Sequence, residues 1–356
     1  MVSNFKMEKL SPSMFIGVEG NGIISFGSGQ PDLPPPKEIY EMLPRFNRFK
    51  YGLIQGNENL REALSKQYPD SDKESFVVTN GASEALDLVF RALGKCGGKV
   101  LVHKPYYYSY PYIIKLAGLE PVYTETVEGK IDINDFQEKV KDCKVVLINS
   151  PGNPTGRIQD IKTLKEIEKI TGELKIPVVS DEVYKDLIYE RENYLLKGPH
   201  IVTINSFSKT FAMCGFRVGY LYSNDKKIIE DVVGIKTHSS MNTSIISQEM
   251  AYAATQVPRE YVKNELKIWT ERRNLICELL GELGLEFPKP EGAFYVLPKV
   301  KNPEKMVWDL YKKYNVITYL GDWFGAPGTI RLSYALDKEK IIEGMGRIKD
   351  YLRRGD

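Results

Sequence analysis

SFVVTNGASEALDLVFRAL, residues 75–93, starts as a short apolar, β-branched run and breaks at Asn80-Gly81. It then places Leu86, Val89, Phe90 and Leu93 at helical spacing. A run of this kind followed by a 3.6-residue apolar period predicts strand, turn and helix in succession. The alternation continues to Tyr222. Strand-like 99–102 precedes a helical stretch at 110–117, strand-like 144–149 precedes a helical stretch at 160–174, and two further strands are expected at 177–180 and 201–205. Such alternation predicts an α/β layered domain around a mostly parallel sheet. In such sheets ligands bind at the carboxyl ends of the strands. Those ends carry the polar, Gly- and Pro-bearing segments 80–83, 150–156, 181–184 and 206–209.

Beyond Tyr222 the pattern changes. Residues 226–236, 243–255 and 259–283 read as helices, followed by short strands at 293–297, 316–318 and 329–333 and a charged helix at 338–353. A smaller α+β part is expected there. The first 35 residues contain Pro12, Pro31 and Pro34 to Pro36 and cannot fold alone. They are expected to pack on the second part or to reach across an interface. The expected division is a large domain over 40–240 and a small one built from 1–39 and 241–356.

The 356 residues carry 49 Lys+Arg and 47 Asp+Glu, a net charge of +2, which gives no basic face for nucleic acid. No apolar run approaches the ~18 residues of a membrane span, and Met1 to Lys9 lacks the apolar core of a secretory signal. Cys96, Cys143, Cys214 and Cys277 are scattered without a CxxC pair, and His103, His200 and His238 form no HExxH or HxH pattern. Reduced thiols, no metal site and a cytoplasmic location are expected.

Chemistry concentrates in SFSKTFAMCGFR, residues 206–217. A lysine just past a strand end is costly to bury, and burial lowers its pKa. A free amine at neutral pH is what Schiff-base chemistry requires. The alternative for Lys209 alone is a solvated loop residue. Asn80-Gly81-Ala82-Ser83 stands between strand and helix, where backbone N–H groups and a hydroxyl suit phosphate; an ordinary N-cap by Ser83 is the other reading. Ser206, Ser208 and Arg217 could add phosphate contacts. SPGNPTG, residues 150–156, can hold Asn153 outward as a donor. Asp181 ends an apolar strand and needs a cationic partner such as a protonated ring nitrogen, unless it is simply an N-cap. Tyr184 follows one helical turn later.

GASEAL, KPYYYSYP, SPGNPTG, SDEVY, SFSKTFAMCGFRVGY and IRLSYA, taken in order, resemble the class I/II aminotransferases. These are pyridoxal-phosphate enzymes of the aspartate aminotransferase-like fold type I. The similarity runs from about Ser28 through Tyr51 to Ala335. It implies a mostly parallel seven-stranded sheet between helices, with a smaller α+β domain. By resemblance, Lys209 forms the Schiff base with pyridoxal 5′-phosphate and shuttles the Cα proton, and Asp181 keeps the pyridine nitrogen protonated. Asn153 and Tyr184 hydrogen-bond the ring hydroxyl, and Tyr107 stacks on the ring where tryptophan is common. Gly81, Ala82, Ser83, Ser206, Ser208 and Arg217 form the phosphate cup. Tyr51 reaches the neighbouring subunit's phosphate, which implies a homodimer with shared sites. Arg331 grips the substrate α-carboxylate beside Asn153, and Gly29 lies in a segment that closes over substrate.

Three readings compete. The first is transamination from an L-amino acid, aspartate or an aromatic or broad set, to a 2-oxo acid such as 2-oxoglutarate. The second is a C–S lyase or other Cα/Cβ chemistry on the same cofactor motifs. The third, an effector-sensing domain of a transcription regulator, is disfavoured because Lys209 and Asp181 are retained and the similarity starts by Ser28. Lys104 and Arg45 are the candidates for a distal substrate carboxylate. Of the tyrosines clustered at 106–112, only Tyr107 is given a role.

Overall fold

The computed structural model describes residues 12–15, 17, 18, 20 and 22–355, so the stretch Met1 to Lys9 lies outside it. Seven strands form the central sheet: β1 (Phe76–Thr79), β2 (Lys99–His103), β3 (Glu120–Thr124), β4 (Val145–Asn149), β5 (Val178–Asp181), β6 (Ile201–Ser206) and β7 (Gly219–Tyr222). Their order is β1-β7-β6-β5-β4-β2-β3. β7 is antiparallel to both neighbours, and the other pairs are parallel. The α/β expectation therefore holds. Sequence periodicity passed over two strands: β3, half-buried along most of its length, and β7, which begins at a glycine.

The strand interiors read as apolar runs because both faces are covered. On one face Val77, Val102, Leu147, Val179, Val202 and Leu221 meet Leu86, Val89 and Phe90 of the helix Ala82–Leu93. On the other, Val146, Ile148 and Val178 meet Leu164 and Ile167 of the helix Ile161–Leu174. Each such side chain contributes about 1.5–3 kcal/mol on burial, so the sheet is a rigid frame for whatever its strand ends carry.

A third core gathers the C-terminal part. It includes Trp269 and Ile276 of the helix Arg259–Glu282, with Ile341, Met345 and Ile348 of the helix Lys338–Arg354. A three-stranded antiparallel sheet joins Tyr295–Val296, Ile330–Ser333 and Tyr319–Leu320. The N-terminal segment packs here: Ile24–Ser25 pairs in parallel with Val316–Ile317, and Phe26 is fully buried in the same core. The helix Pro303–Tyr314 also lies in this part and was not anticipated. Among the described residues no helix is long and apolar enough to cross a membrane, and no cluster of His, Cys, Asp and Glu could hold a metal ion.

Candidate active site

β4, β5 and β6 run parallel in register, so that Asn149 faces Asp181 and Asp181 faces Ile204. Three site segments thus leave the sheet side by side. They open into a cavity of about 810 Å³ walled from the far side by Gly29, Tyr295, Tyr319 and Arg331. That volume fits the range of small-molecule and cofactor sites.

Asp181 is buried at the end of β5. It accepts a hydrogen bond from the Tyr110 hydroxyl (2.7 Å) and one from the Val183 N–H (3.2 Å). Burial pushes its carboxyl up to about 6, against the pull of those two donors and of Lys209. No lysine or arginine of the described residues forms a salt bridge with it. The bond to Val183 is a local turn contact. Residue 182 is irregular and 183–186 form a turn and not a helix, so neither the N-cap reading of Asp181 nor the helical placement of Tyr184 holds. Tyr110, which the sequence groups with the packing tyrosines, is one of the site residues that sequence reasoning misses.

Lys209 sits in the short helix Phe207–Thr210, immediately after β6, and faces the cavity. Its Nζ donates to the Gly29 carbonyl at 2.7 Å. Desolvation pushes the amine below the usual lysine range, and the Arg331 and Arg217 charges push the same way. The solvated-loop alternative is thereby excluded.

The anion cradle forms where expected but with a different cap. Gly81, at φ +79°, caps the helix Ala82–Leu93, while Ser83 is its second residue and not the N-cap. A Cβ on Gly81 would lie 2.5 Å from Arg217 Nη2, so only glycine lets the guanidinium approach the helix start. Arg217 donates to the carbonyls of Cys214 and Asn80 (3.0 and 3.4 Å), while the Ser206 hydroxyl donates to Ser208 Oγ (2.9 Å). The cradle therefore combines helix-end N–H groups, serine hydroxyls and an arginine fork, the donor set of a phosphate site.

Arg331 is buried in an aromatic cage. Tyr295, Tyr319 and Phe324 lie 4.6, 4.7 and 4.7 Å from its guanidinium carbon. Nη1 donates to Asn153 Oδ1 (3.0 Å), Nη2 donates to the Gly27 carbonyl, and Nε is buried with no partner. Asn153 is itself tied by its N–H to Asn149 Oδ1 (2.9 Å). Tyr184 pairs with Tyr295, hydroxyl to hydroxyl, at 2.8 Å. Tyr107 lines the cavity and meets Tyr110 edge-on.

Tyr51 is the one predicted cofactor residue that stays apart, 84% exposed and away from the cavity. Lys104 and Arg45 do not line it either. Lys104 pairs with Glu125 over the Tyr123 ring, and Arg45 lies in the turn Leu43–Arg45. Tyr108, left among the packing tyrosines by the sequence reading, is a wall residue.

The profile of the family "Aminotransferase class I and II" matches residues 21–348. The chain is 34% identical to an aspartate aminotransferase of Thermotoga maritima, over 94% of this chain and 92% of that protein. It is 32% identical to a probable aspartate/prephenate aminotransferase of Aquifex aeolicus over the same shares. Among solved structures, the Thermotoga maritima aspartate aminotransferase superposes with a TM-score of 0.89 at 32% identity, covering 96% of this chain and 95% of that one. An aromatic aminotransferase from Pyrococcus horikoshii gives 0.88 at 31% identity, covering 97% and 99%. These names decide for transamination over the lyase reading. With a cradle and a lowered-pKa lysine at the strand ends and a caged arginine facing them across the cavity, the chain belongs to the class I and II aminotransferases.

Proposed function

We propose that the cavity holds pyridoxal 5′-phosphate and that the enzyme moves the amino group of an L-amino acid to a 2-oxo acid such as 2-oxoglutarate. The observation that carries this is Lys209, an amine kept below its ordinary pKa, in one cavity with the buried, salt-bridge-free Asp181. The donor set fits the cofactor group by group. Ser83, Ser206, Ser208, Arg217 and the helix start at Gly81 and Ala82 would hold the phosphate. Asp181 would hold the ring nitrogen, Asn153 and Tyr184 the ring hydroxyl, and Tyr107 the ring face. When bound, the cofactor supplies the electron sink that makes the substrate Cα proton labile.

The protein's own groups do the rest. Desolvation favours the neutral form of the Lys209 amine, the form that would attach the cofactor, and the same amine would be the base that takes and returns the proton at Cα. Arg331, stacked in its cage, would present a planar fork to the α-carboxylate, and its buried Nε has no partner within the protein. Asn153 joins that arginine to the cofactor side of the cavity. Gly29 covers Lys209 from the N-terminal segment.

Aspartate is the first donor to test, because relatives over nearly the whole chain carry that name. Aromatic donors are the second, favoured by the Tyr108 and Tyr319 walls and by the structural likeness to an aromatic aminotransferase. The described residues lining the cavity include three cations, Lys209, Arg217 and Arg331, each with a role already. Among the described lining residues no cation is therefore left over for a distal carboxylate. Exposed Phe49 and Tyr51 support a homodimer in which Tyr51 reaches the second subunit's phosphate. The division at 1–39 with 241–356 and 40–240 is kept as a proposal, with the helix Ile245–Thr255 riding on the large part through Met250, Ala251 and Ala254. The cytoplasm is the proposed location.

The test is the visible spectrum of the cofactor-loaded protein on single additions of L-aspartate, L-glutamate, L-tyrosine, L-alanine and L-cysteine. Loss of the yellow band, restored by 2-oxoglutarate, supports transamination and ranks the donors. An unchanged yellow protein releasing pyruvate, sulfide or carbon dioxide overturns it.

A further inference from the structure

Tyr295 touches three separate working parts of the site. Its hydroxyl stands 2.8 Å from that of Tyr184, and its ring lies face-on to the Arg331 guanidinium at 4.6 Å. The same hydroxyl fills the space above Gly29, where a Cβ would approach it to 2.2 Å. The residue is buried and held by strand pairing, with Tyr295 opposite Ser333 and Val296 opposite Leu332. A rigid tyrosine in this position has no purely packing rationale for its hydroxyl, because a phenylalanine would fill the same ring volume.

We infer that Tyr295 is a positioning residue that donates to Tyr184 and thereby sets the strength of the hydrogen bond Tyr184 offers the cofactor, while its ring holds Arg331 in plane. A hydroxyl has one proton. If Tyr184 spends its own on the cofactor ring oxygen, the 2.8 Å contact requires Tyr295 to be the donor. A hydroxyl that accepts one bond becomes the stronger donor in the next, since chained hydrogen bonds polarise one another. Stronger donation to the ring oxygen favours its anionic form and lowers the pKa at which the linked lysine nitrogen takes a proton. Burial keeps the Tyr295 phenol protonated, pushed up to about 12, so the donor persists across the working pH range. Arg331, Tyr108 and Cys214 bear on Tyr295, and Arg331 and Asp181 on Tyr184. Only Tyr295 makes a hydrogen bond to the Tyr184 hydroxyl among these. Gly29 adds specificity to the arrangement, because any side chain there displaces the tyrosine hydroxyl.

The inference rests on the cofactor reading above, and its test separates the two. Cofactor-loaded parent and Tyr295→Phe proteins are titrated by visible absorbance between pH 5 and 9, with KM and kcat for L-aspartate measured in parallel. Phenylalanine keeps the ring over Arg331 and loses the donor. The expected result is a protonation midpoint raised by about half a pH unit or more, the scale of one lost hydrogen bond, with KM within about twofold. Tyr295→Leu loses the ring as well and is expected to raise KM by roughly tenfold. Gly29→Ala is expected to shift the midpoint the same way in the parent and by less in the Tyr295→Phe background. A Tyr295→Phe midpoint coincident with the parent's overturns the inference and leaves the cofactor reading standing. A parent protein with no titrating visible band overturns the cofactor reading itself.

Discussion

Arg331 Nη1 donates to Asn153 Oδ1 across 3.0 Å, joining a strand of the C-terminal part to the SPGNPTG turn of the central sheet. The proposed substrate cation and the proposed cofactor amide are therefore one unit, although 178 residues separate them. The bond also fixes which end of Asn153 remains for a ligand: the carbonyl oxygen is taken, so its amide nitrogen is the donor. Arg331→Lys keeps the charge but loses the planar fork. The expected result is an amino-acid KM raised on the order of 100-fold, the loss of a charge-assisted pair, with cofactor affinity within about threefold of the parent. Equilibrium titration with cofactor and steady-state kinetics check both. Release of the cofactor would place Arg331 in the phosphate cradle instead.

Lys209→Ala removes the amine that burial holds below its ordinary pKa. The fold is expected to survive, because the change deletes a desolvated cation and leaves no buried carboxylate newly unpaired within salt-bridge distance. Borohydride treatment followed by denaturation is expected to leave no cofactor on the variant. A reducible adduct that persists there would sink the assignment of Lys209.

Much of this was legible in the chain, for particular reasons. Residues 75–93 showed their strand and helix because both faces of β1 are buried and the helix has a single apolar stripe. Lys209 and Asp181 stood out because charged residues at apolar strand ends have few structural uses, and Arg217 because its fork of donors suits phosphate. What stayed hidden depends on contacts between distant segments. β7 begins at a glycine and pairs antiparallel, which no local period announces. Tyr110 and Tyr295 look like any other tyrosine until the fold brings them to Asp181 and Tyr184. Gly81 displaced Ser83 as the cap because the cradle needs the guanidinium closer than a Cβ allows.

Tyr110→Phe tests the buried donor to Asp181. Burial holds that carboxyl near 6, and the Tyr110 bond opposes the rise. The ionised form is the one that attracts a protonated ring nitrogen, so cofactor affinity is expected to fall as pH drops below about 6. Without the tyrosine hydroxyl the carboxyl rises further and the fall begins at higher pH. Retention of cofactor at pH 6 is expected to weaken by roughly tenfold against the parent, with little change at pH 8. Superimposable affinity profiles for the two proteins would show that Tyr110 does not govern Asp181.

Glu182 provides a test of stability that is separate from catalysis. It is buried beside Asp181, accepts from Ser180 Oγ at 2.9 Å, and leaves Oε2 with no partner. Burial pushes its carboxyl up to about 7 from the ordinary 4.5; Lys185 and Ser180 restrain the rise, and the Asp181 and Asp186 charges add to it. Between pH 4.5 and 7 the folded state therefore holds a proton that the unfolded state has released. Unfolded minus folded proton count is negative in that window, so this group's contribution to stability is full below 4.5 and lost as pH rises through 7. Glu182→Gln keeps the shape and removes the titration. Denaturant unfolding of the cofactor-free proteins at pH 5 and pH 8 is expected to show the parent losing on the order of 1–3 kcal/mol more than the variant over that span. Equal losses in the two proteins would mean that Glu182 titrates as an ordinary surface carboxylate.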